Sequence, residues 1–102
     1  MGKWVRVALA SDLKPGEGKT VDAHGVEMAL FNVDGAFRAI SNTCKHRGGP
    51  LGEGELAGTT VTCPWHGWQY DVTTGVSVRN PEVAVPSYRV DVRGEEVFVE
   101  LP

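Results

Sequence analysis

Both cysteines of this 102-residue chain, and two of its three histidines, lie in one stretch, CKHRGGPLGEGELAGTTVTCPWH. They form two compact pairs, Cys44-x-His46 and Cys63-x-x-His66, with sixteen residues between the pairs. Thiolate and imidazole groups are common protein ligands of transition metals. We therefore interpret these four residues as candidate metal ligands, around which the rest of the chain is expected to fold.

Length and charge narrow the possible classes of protein. A chain of this length forms one domain, here residues 1–102. Its net charge of −3 and the absence of a basic stripe argue against a nucleic-acid partner. No apolar run approaches the roughly 18 residues of a membrane helix. The first residues, MGKWVRVALASD, lack the apolar core of a signal peptide. We expect a cytoplasmic protein without a membrane partner.

Short β-prone segments separated by turn residues dominate the chain, and no segment has helical periodicity over ten residues. The dipeptide Asp34-Gly35 predicts a type I′ hairpin turn. This pattern predicts an all-β fold, a small antiparallel β-barrel or sandwich, in which residues of about 42–81 interrupt the strand series as an inserted subdomain. The predicted strands are residues 4–9, 20–23, 26–33, 36–40, 68–72, 76–78, 87–92 and 96–101.

Three chemistries are open to two cysteines and two histidines. A disulfide is disfavoured in a reducing cytosol and leaves both histidines unexplained. A structural zinc site takes two Cys and two His, but a zinc finger pairs like with like around a helix that this pattern lacks. A [2Fe–2S] cluster held by two Cys on one iron and two His on the other accounts for one thiolate and one imidazole in each pair.

The motifs CKHRG at 44–48 and CPWHG at 63–67 resemble the two ligand boxes of Rieske proteins. The resemblance continues through Tyr70 and Pro81 to residues 85–88 and covers 42–88. It implies one Rieske-type [2Fe–2S] cluster per chain, in a cluster-binding subdomain of about residues 42–81. The implied ligands are Cys44 and Cys63 on one iron, and His46 and His66 on the other.

Departures from the respiratory members of that family are informative. Two positions joined there by a disulfide correspond here to Gly49 and Trp65, and a sulfide-bonding serine corresponds to Trp68. We expect both tryptophans to pack around the cluster rather than to guide electrons. The resemblance also implies that Tyr70 hydrogen-bonds the sulfur of Cys63.

The resemblance implies a soluble ferredoxin, a monomeric one-electron carrier rather than an enzyme. Its expected partners are a flavin-containing reductase and the terminal oxygenase of a Rieske non-haem iron system. After His66 the chain has no histidine, so it lacks the two-His site of an oxygenase. The alternative is the small Rieske subunit of an assimilatory nitrite reductase.

Overall fold

A computed structural model describes residues 2–45, 48–65 and 67–102. Two of the predicted ligands, His46 and His66, lie outside these described residues. Within them, ten strands and two single-turn 3₁₀ helices form, and every strand pairing is antiparallel. The all-β, antiparallel fold predicted from the sequence is confirmed.

The strands form three sheets, with the orders β1-β10-β9, β2-β3-β4-β8 and β5-β6-β7. The 3₁₀ helices are Ala10–Asp12 and Leu51–Glu53. No helix in the described part of the chain is long and apolar enough to cross a membrane. The strands are β1 Lys3–Leu9, β2 Gly18–Ala23, β3 Val26–Val33, β4 Ala36–Ser41, β5 Glu55–Ala57, β6 Thr60–Thr62, β7 Gln69–Asp71, β8 Ser87–Tyr88, β9 Val90–Arg93 and β10 Glu96–Leu101.

The hairpin turns follow directly from the sequence. Asp34 and Gly35, between β3 and β4, have φ angles of 55° and 95°, so both central residues are in the left-handed region that a type I′ turn requires. The side chain of Asn32 accepts a 2.7 Å hydrogen bond from the Gly35 N–H and closes the turn. His24 and Gly25, between β2 and β3, have similar positive φ angles of 51° and 90°. The predicted Asp34-Gly35 hairpin is confirmed, and His24 lies in an exposed turn.

Strand β3 separates two apolar cores. Its side chains alternate between the faces of the middle sheet, and the run from 28 to 32 is buried throughout. Met28 and Leu30 pack with Val97 and Val99 of β10 in one core. Residues of the opposite face pack with the 42–81 segment in the second core, which contains both cysteines. The core that contains both cysteines therefore packs directly against one face of the middle sheet.

Some predicted strand boundaries are wrong. The predicted strand 68–72 is only Gln69–Asp71, and 76–78 makes isolated bridges rather than a strand. The predicted strand 87–92 is two strands, because the chain changes sheets at Arg89: β8 pairs with β4, whereas β9 pairs with β10. The 42–81 segment also contains a sheet of its own, β5-β6-β7, whose three-residue strands gave too short a pattern to recognise.

Candidate metal centre

The first cysteine begins a loop closed by its own backbone. The N–H of Cys44 donates to the carbonyl of Gly49 over 3.0 Å, and the Cys44 carbonyl accepts from the N–H of Gly48 over 2.8 Å. Gly48 has a φ of 73°, a left-handed conformation that glycine adopts without strain. An isolated bridge between Thr43 and Pro50 closes the base of the loop.

The second cysteine begins a loop with the same hydrogen-bond pattern. The N–H of Cys63 donates to the carbonyl of Trp68 over 2.7 Å, and its carbonyl accepts from the N–H of Gly67 over 3.1 Å. Gly67 has a φ of 75°, nearly equal to that of its counterpart in the first loop. The two loops, 44–49 and 63–68, therefore present their cysteines in equivalent backbone settings.

The fold brings the two loops together. The first follows β4 and the second joins β6 to β7, yet both cysteines belong to one buried core and are each only 2% exposed. A Cβ atom built on Gly49 in the first loop would lie 2.7 Å from Cys63 Sγ in the second. Of the four predicted ligands, the structure thus places Cys44 and Cys63 in one buried core. His46 and His66 belong to the same loops by sequence but lie outside the described residues.

Tyr70 of β7 lies beside the first cysteine. Its ring is fully buried, and its hydroxyl oxygen accepts a 3.1 Å hydrogen bond from the N–H of Lys45. The same oxygen lies 3.4 Å from Cys44 Sγ. The sequence prediction named Cys63 as the sulfur partner, and the contact observed here is with Cys44.

The environment of Tyr70 keeps its phenol protonated. Burial, and next the hydrogen bond with Cys44, raise the pKa of Tyr70 from 10.0 to about 12. The lone pairs of the oxygen face the Lys45 N–H, so the hydroxyl proton remains available for the sulfur. A metal-bound thiolate carries no proton, and Tyr70 would therefore be the donor to it.

Asn42 anchors the first loop to the β scaffold, a role that the sequence analysis did not assign. Its side-chain oxygen accepts hydrogen bonds from the Gly52 N–H at 2.7 Å and from the Thr20 hydroxyl at 3.1 Å. Its backbone carbonyl accepts from the Leu51 N–H at 2.7 Å. Asn42 is only 4% exposed, so these bonds are sheltered from water. Asn42 thereby joins the two ends of the loop to each other and, through Thr20, to β2.

The two tryptophans of the second loop have different surroundings. Trp68 is partly buried and packs against the core that contains the cysteines. Trp65 is 57% exposed, yet its ring lies directly against Gly49 of the first loop. Both contacts agree with the prediction that these side chains pack around the site.

The residues present suit a cluster of iron and sulfide. The two loops offer one soft, buried thiol each, and Tyr70 supplies a sulfur-directed hydroxyl. Among residues 2–45, 48–65 and 67–102 there is no group of three His, Cys, Asp or Glu side chains placed to hold a metal ion. Cys44 and Cys63 are two of the four predicted ligands, and the other two lie outside the described residues.

Comparison with known proteins shows the family to which this chain belongs. The family model of the Rieske [2Fe-2S] domain matches residues 3–89. The chain is 36% identical to Ferredoxin CarAc of Metapseudomonas resinovorans over 98 residues, which are 94% of this chain and 92% of the relative. It belongs to the Rieske [2Fe-2S] domain family, and its cofactor is a Rieske-type [2Fe–2S] cluster.

Solved structures give the same fold. One is a complex of reduced oxygenase and oxidised ferredoxin in carbazole 1,9a-dioxygenase, which matches with a TM-score of 0.86 at 35% identity. The match covers 95% of this chain and 92% of that chain. A putative NADH-dependent nitrite reductase small subunit from Mycobacterium tuberculosis matches with a TM-score of 0.92. At 24% identity, over 100% of this chain and 97% of that one, the second likeness concerns the fold alone.

Proposed function

We propose that this protein is a Rieske-type ferredoxin that carries single electrons from a flavin-containing reductase to a terminal oxygenase. The observation that carries the proposal is the convergence of two matched cysteine loops beside a buried tyrosine, in a chain similar over nearly its whole length to ferredoxins of dioxygenase systems. The protein acts as an electron-transfer component and not as a catalyst.

We assign the four ligands of the cluster to the two cysteine loops. In this proposal Cys44 and Cys63 bind one iron through sulfur, and His46 and His66 bind the other through an imidazole nitrogen. The segment of about 42–81 is the cluster-binding subdomain of a single domain that spans residues 1–102. The matched loop geometry supports this assignment, since each loop carries one Cys and one His in its sequence.

The cluster supplies reversible one-electron chemistry, and the chain sets the conditions for it. The 2% exposure of each cysteine keeps water from the sulfur atoms. Tyr70 holds a proton towards Cys44 Sγ and so favours negative charge on that sulfur. Asn42 fixes the base of the first loop, which limits the movement of its ligands when charge changes.

We place the protein in the cytoplasm as a monomer that meets its redox partners transiently. Transient electron-transfer encounters bury little surface and dissociate readily. A small subunit of an assimilatory nitrite reductase would instead stay bound to a large, haem-containing enzyme.

Isolation from the native host tests this proposal. A tagged chain is purified at low ionic strength, and the eluate is analysed by size-exclusion chromatography with absorbance at haem wavelengths. The proposal predicts elution at the monomer mass without haem, and reoxidation of the reduced protein by an oxygenase fraction from the same cells. A stable, haem-containing complex that also reduces nitrite would overturn it in favour of the nitrite reductase subunit.

A further inference from the structure

The two cysteine loops meet at a contact between a glycine and a tryptophan. A Cβ atom on Gly49 would lie 3.1 Å and 3.2 Å from two ring atoms of Trp65, Cγ and Cδ2. The same Cβ atom would lie 2.7 Å from Cys63 Sγ. The Trp65 ring therefore lies across the first loop from the second, next to the sulfur of Cys63.

Position 49 requires glycine because there is no room for a side chain, and not because of its backbone conformation. Gly48 and Gly67 have positive φ angles, but Gly49 does not. Gly49 is also buried, so any side chain there would push against both the ring and the sulfur. A Cβ contact below 3.0 Å cannot be kept without movement, and one of the atoms here belongs to a predicted ligand.

We propose that Trp65 is a positioning residue that holds the two cysteine loops together and keeps water from the Cys63 side of the cluster. This inference rests on the proposed cluster ligation, but not on the identity of the redox partners. The ring packs on Gly49 through Cγ and Cδ2, while Trp65 as a whole is 57% exposed to solvent. Trp65 therefore separates the Cys63 side of the cluster site from solvent.

Two measurable properties should depend on Trp65: first the rate of cluster loss, and second the reduction potential of the cluster. If Trp65 joins the loops, its truncation lets them separate and the cluster leaves sooner. If Trp65 also excludes water, its truncation brings polar solvent nearer to the cluster. Reduction adds one negative charge, which water stabilises better than protein does, so the reduction potential rises. If Trp65 only joined the loops, its truncation would accelerate cluster loss and leave the reduction potential unaltered.

The test uses holoprotein and four chains: wild type, Trp65→Ala, Trp65→Phe and Val78→Ala. Val78 is a matched control, because it lies in the same 42–81 segment and is 51% exposed. Cluster loss is followed by visible absorbance in the presence of an iron chelator, and the potential is measured by voltammetry. Trp65→Ala should lose its cluster about tenfold faster, a moderate effect because the residue is already more than half exposed.

The potential of Trp65→Ala should rise, whereas Trp65→Phe and Val78→Ala should stay near wild type in both properties. The proposal is overturned if either property of Trp65→Ala is unchanged, or if Val78→Ala changes both equally. Should Trp65→Ala retain no cluster, Trp65→Leu replaces it and must show the same two changes at smaller size.

Gly49→Ala tests the contact from the other side. Its methyl group displaces the ring, so adding Trp65→Ala to Gly49→Ala should accelerate cluster loss little beyond Gly49→Ala alone. Independent, multiplied effects would show that the two residues do not act through one contact, which contradicts the proposal. Neither property involves a partner protein, so failure here is distinct from failure of the partner assignment.

Discussion

Replacing Tyr70 with Phe removes one hydroxyl and keeps the buried ring. The hydroxyl oxygen accepts from the Lys45 N–H at 3.1 Å and lies 3.4 Å from Cys44 Sγ. Phe fills nearly the same volume, and the packing of the fully buried ring is retained. The substitution therefore isolates two interactions, one with the backbone and one with a cluster sulfur.

The expected sizes follow from these two contacts. The bound thiolate is ionised in both redox states, and reduction adds further negative charge that is shared over the cluster. Because a full unit of charge on the acceptor strengthens a hydrogen bond by about 1 kcal/mol, the donor to Cys44 should favour the reduced cluster by up to about 1 kcal/mol. For one electron, about 1.4 kcal/mol corresponds to 59 mV, so Tyr70→Phe should lower the potential by up to about 40 mV. The unpaired Lys45 N–H costs about 1 to 2 kcal/mol, or about 4 to 10 °C in the apparent thermal midpoint.

Voltammetry at pH 7 and thermal unfolding of the holoprotein measure the two effects. Tyr88→Phe is the matched control, since Tyr88 is the other tyrosine of the chain and lies on β8, paired with Ala39. Its potential should equal that of wild type. A Tyr70→Phe potential that is unchanged within about 10 mV, or one that rises, would refute the role of Tyr70 as a sulfur donor.

Three further predictions concern ligands, pH and the loop anchor. His46→Ala or His66→Ala should abolish the visible cluster spectrum, whereas His24→Ala should leave it unchanged; a spectrum that needs His24 but not His66 would contradict the ligand set. The unfolded chain ionises its tyrosines near pH 10, whereas the pKa of folded Tyr70 is about 12. The folded state then binds more protons, so the free energy of unfolding should fall as pH rises from about 10 to about 12. Denaturant titration of Tyr70→Phe should lack this component, and an equal pH dependence in that variant would disprove it. Asn42→Ala leaves the Gly52 N–H without its acceptor and should lower the free energy of unfolding by about 2 kcal/mol in the same titration; a loss below about 0.5 kcal/mol would show that the anchor contributes little.

Local chemistry explains which parts of the fold were predictable. The Asp34-Gly35 turn could be predicted from its own two residues, because only a few residues adopt the positive φ that a type I′ turn requires. The strands on either side of it were correct to within a residue. The break at Arg89 could not be read, because it reflects a change of sheet partner and not a turn residue. The same holds for β5 and β6, which are three residues long.

The candidate site likewise has features that the local sequence predicts and features that depend on the tertiary fold. The cysteine and histidine pairs are visible in sequence because their chemistry and their spacing are both local. The anchor at Asn42 was not visible, since its partner Thr20 is 22 residues away. The sulfur contact of Tyr70 was assigned to Cys63 and is observed with Cys44, since the choice depends on how β7 packs against the first loop.

Iron and acid-labile sulfide analysis tests the central claim most directly. Protein produced with ample iron is purified anaerobically, and iron, zinc and sulfide are determined per chain on the same sample. We expect about two irons and two sulfides per chain, with little zinc. One zinc per chain without sulfide would contradict it, because the two cysteine loops would then form a structural zinc site.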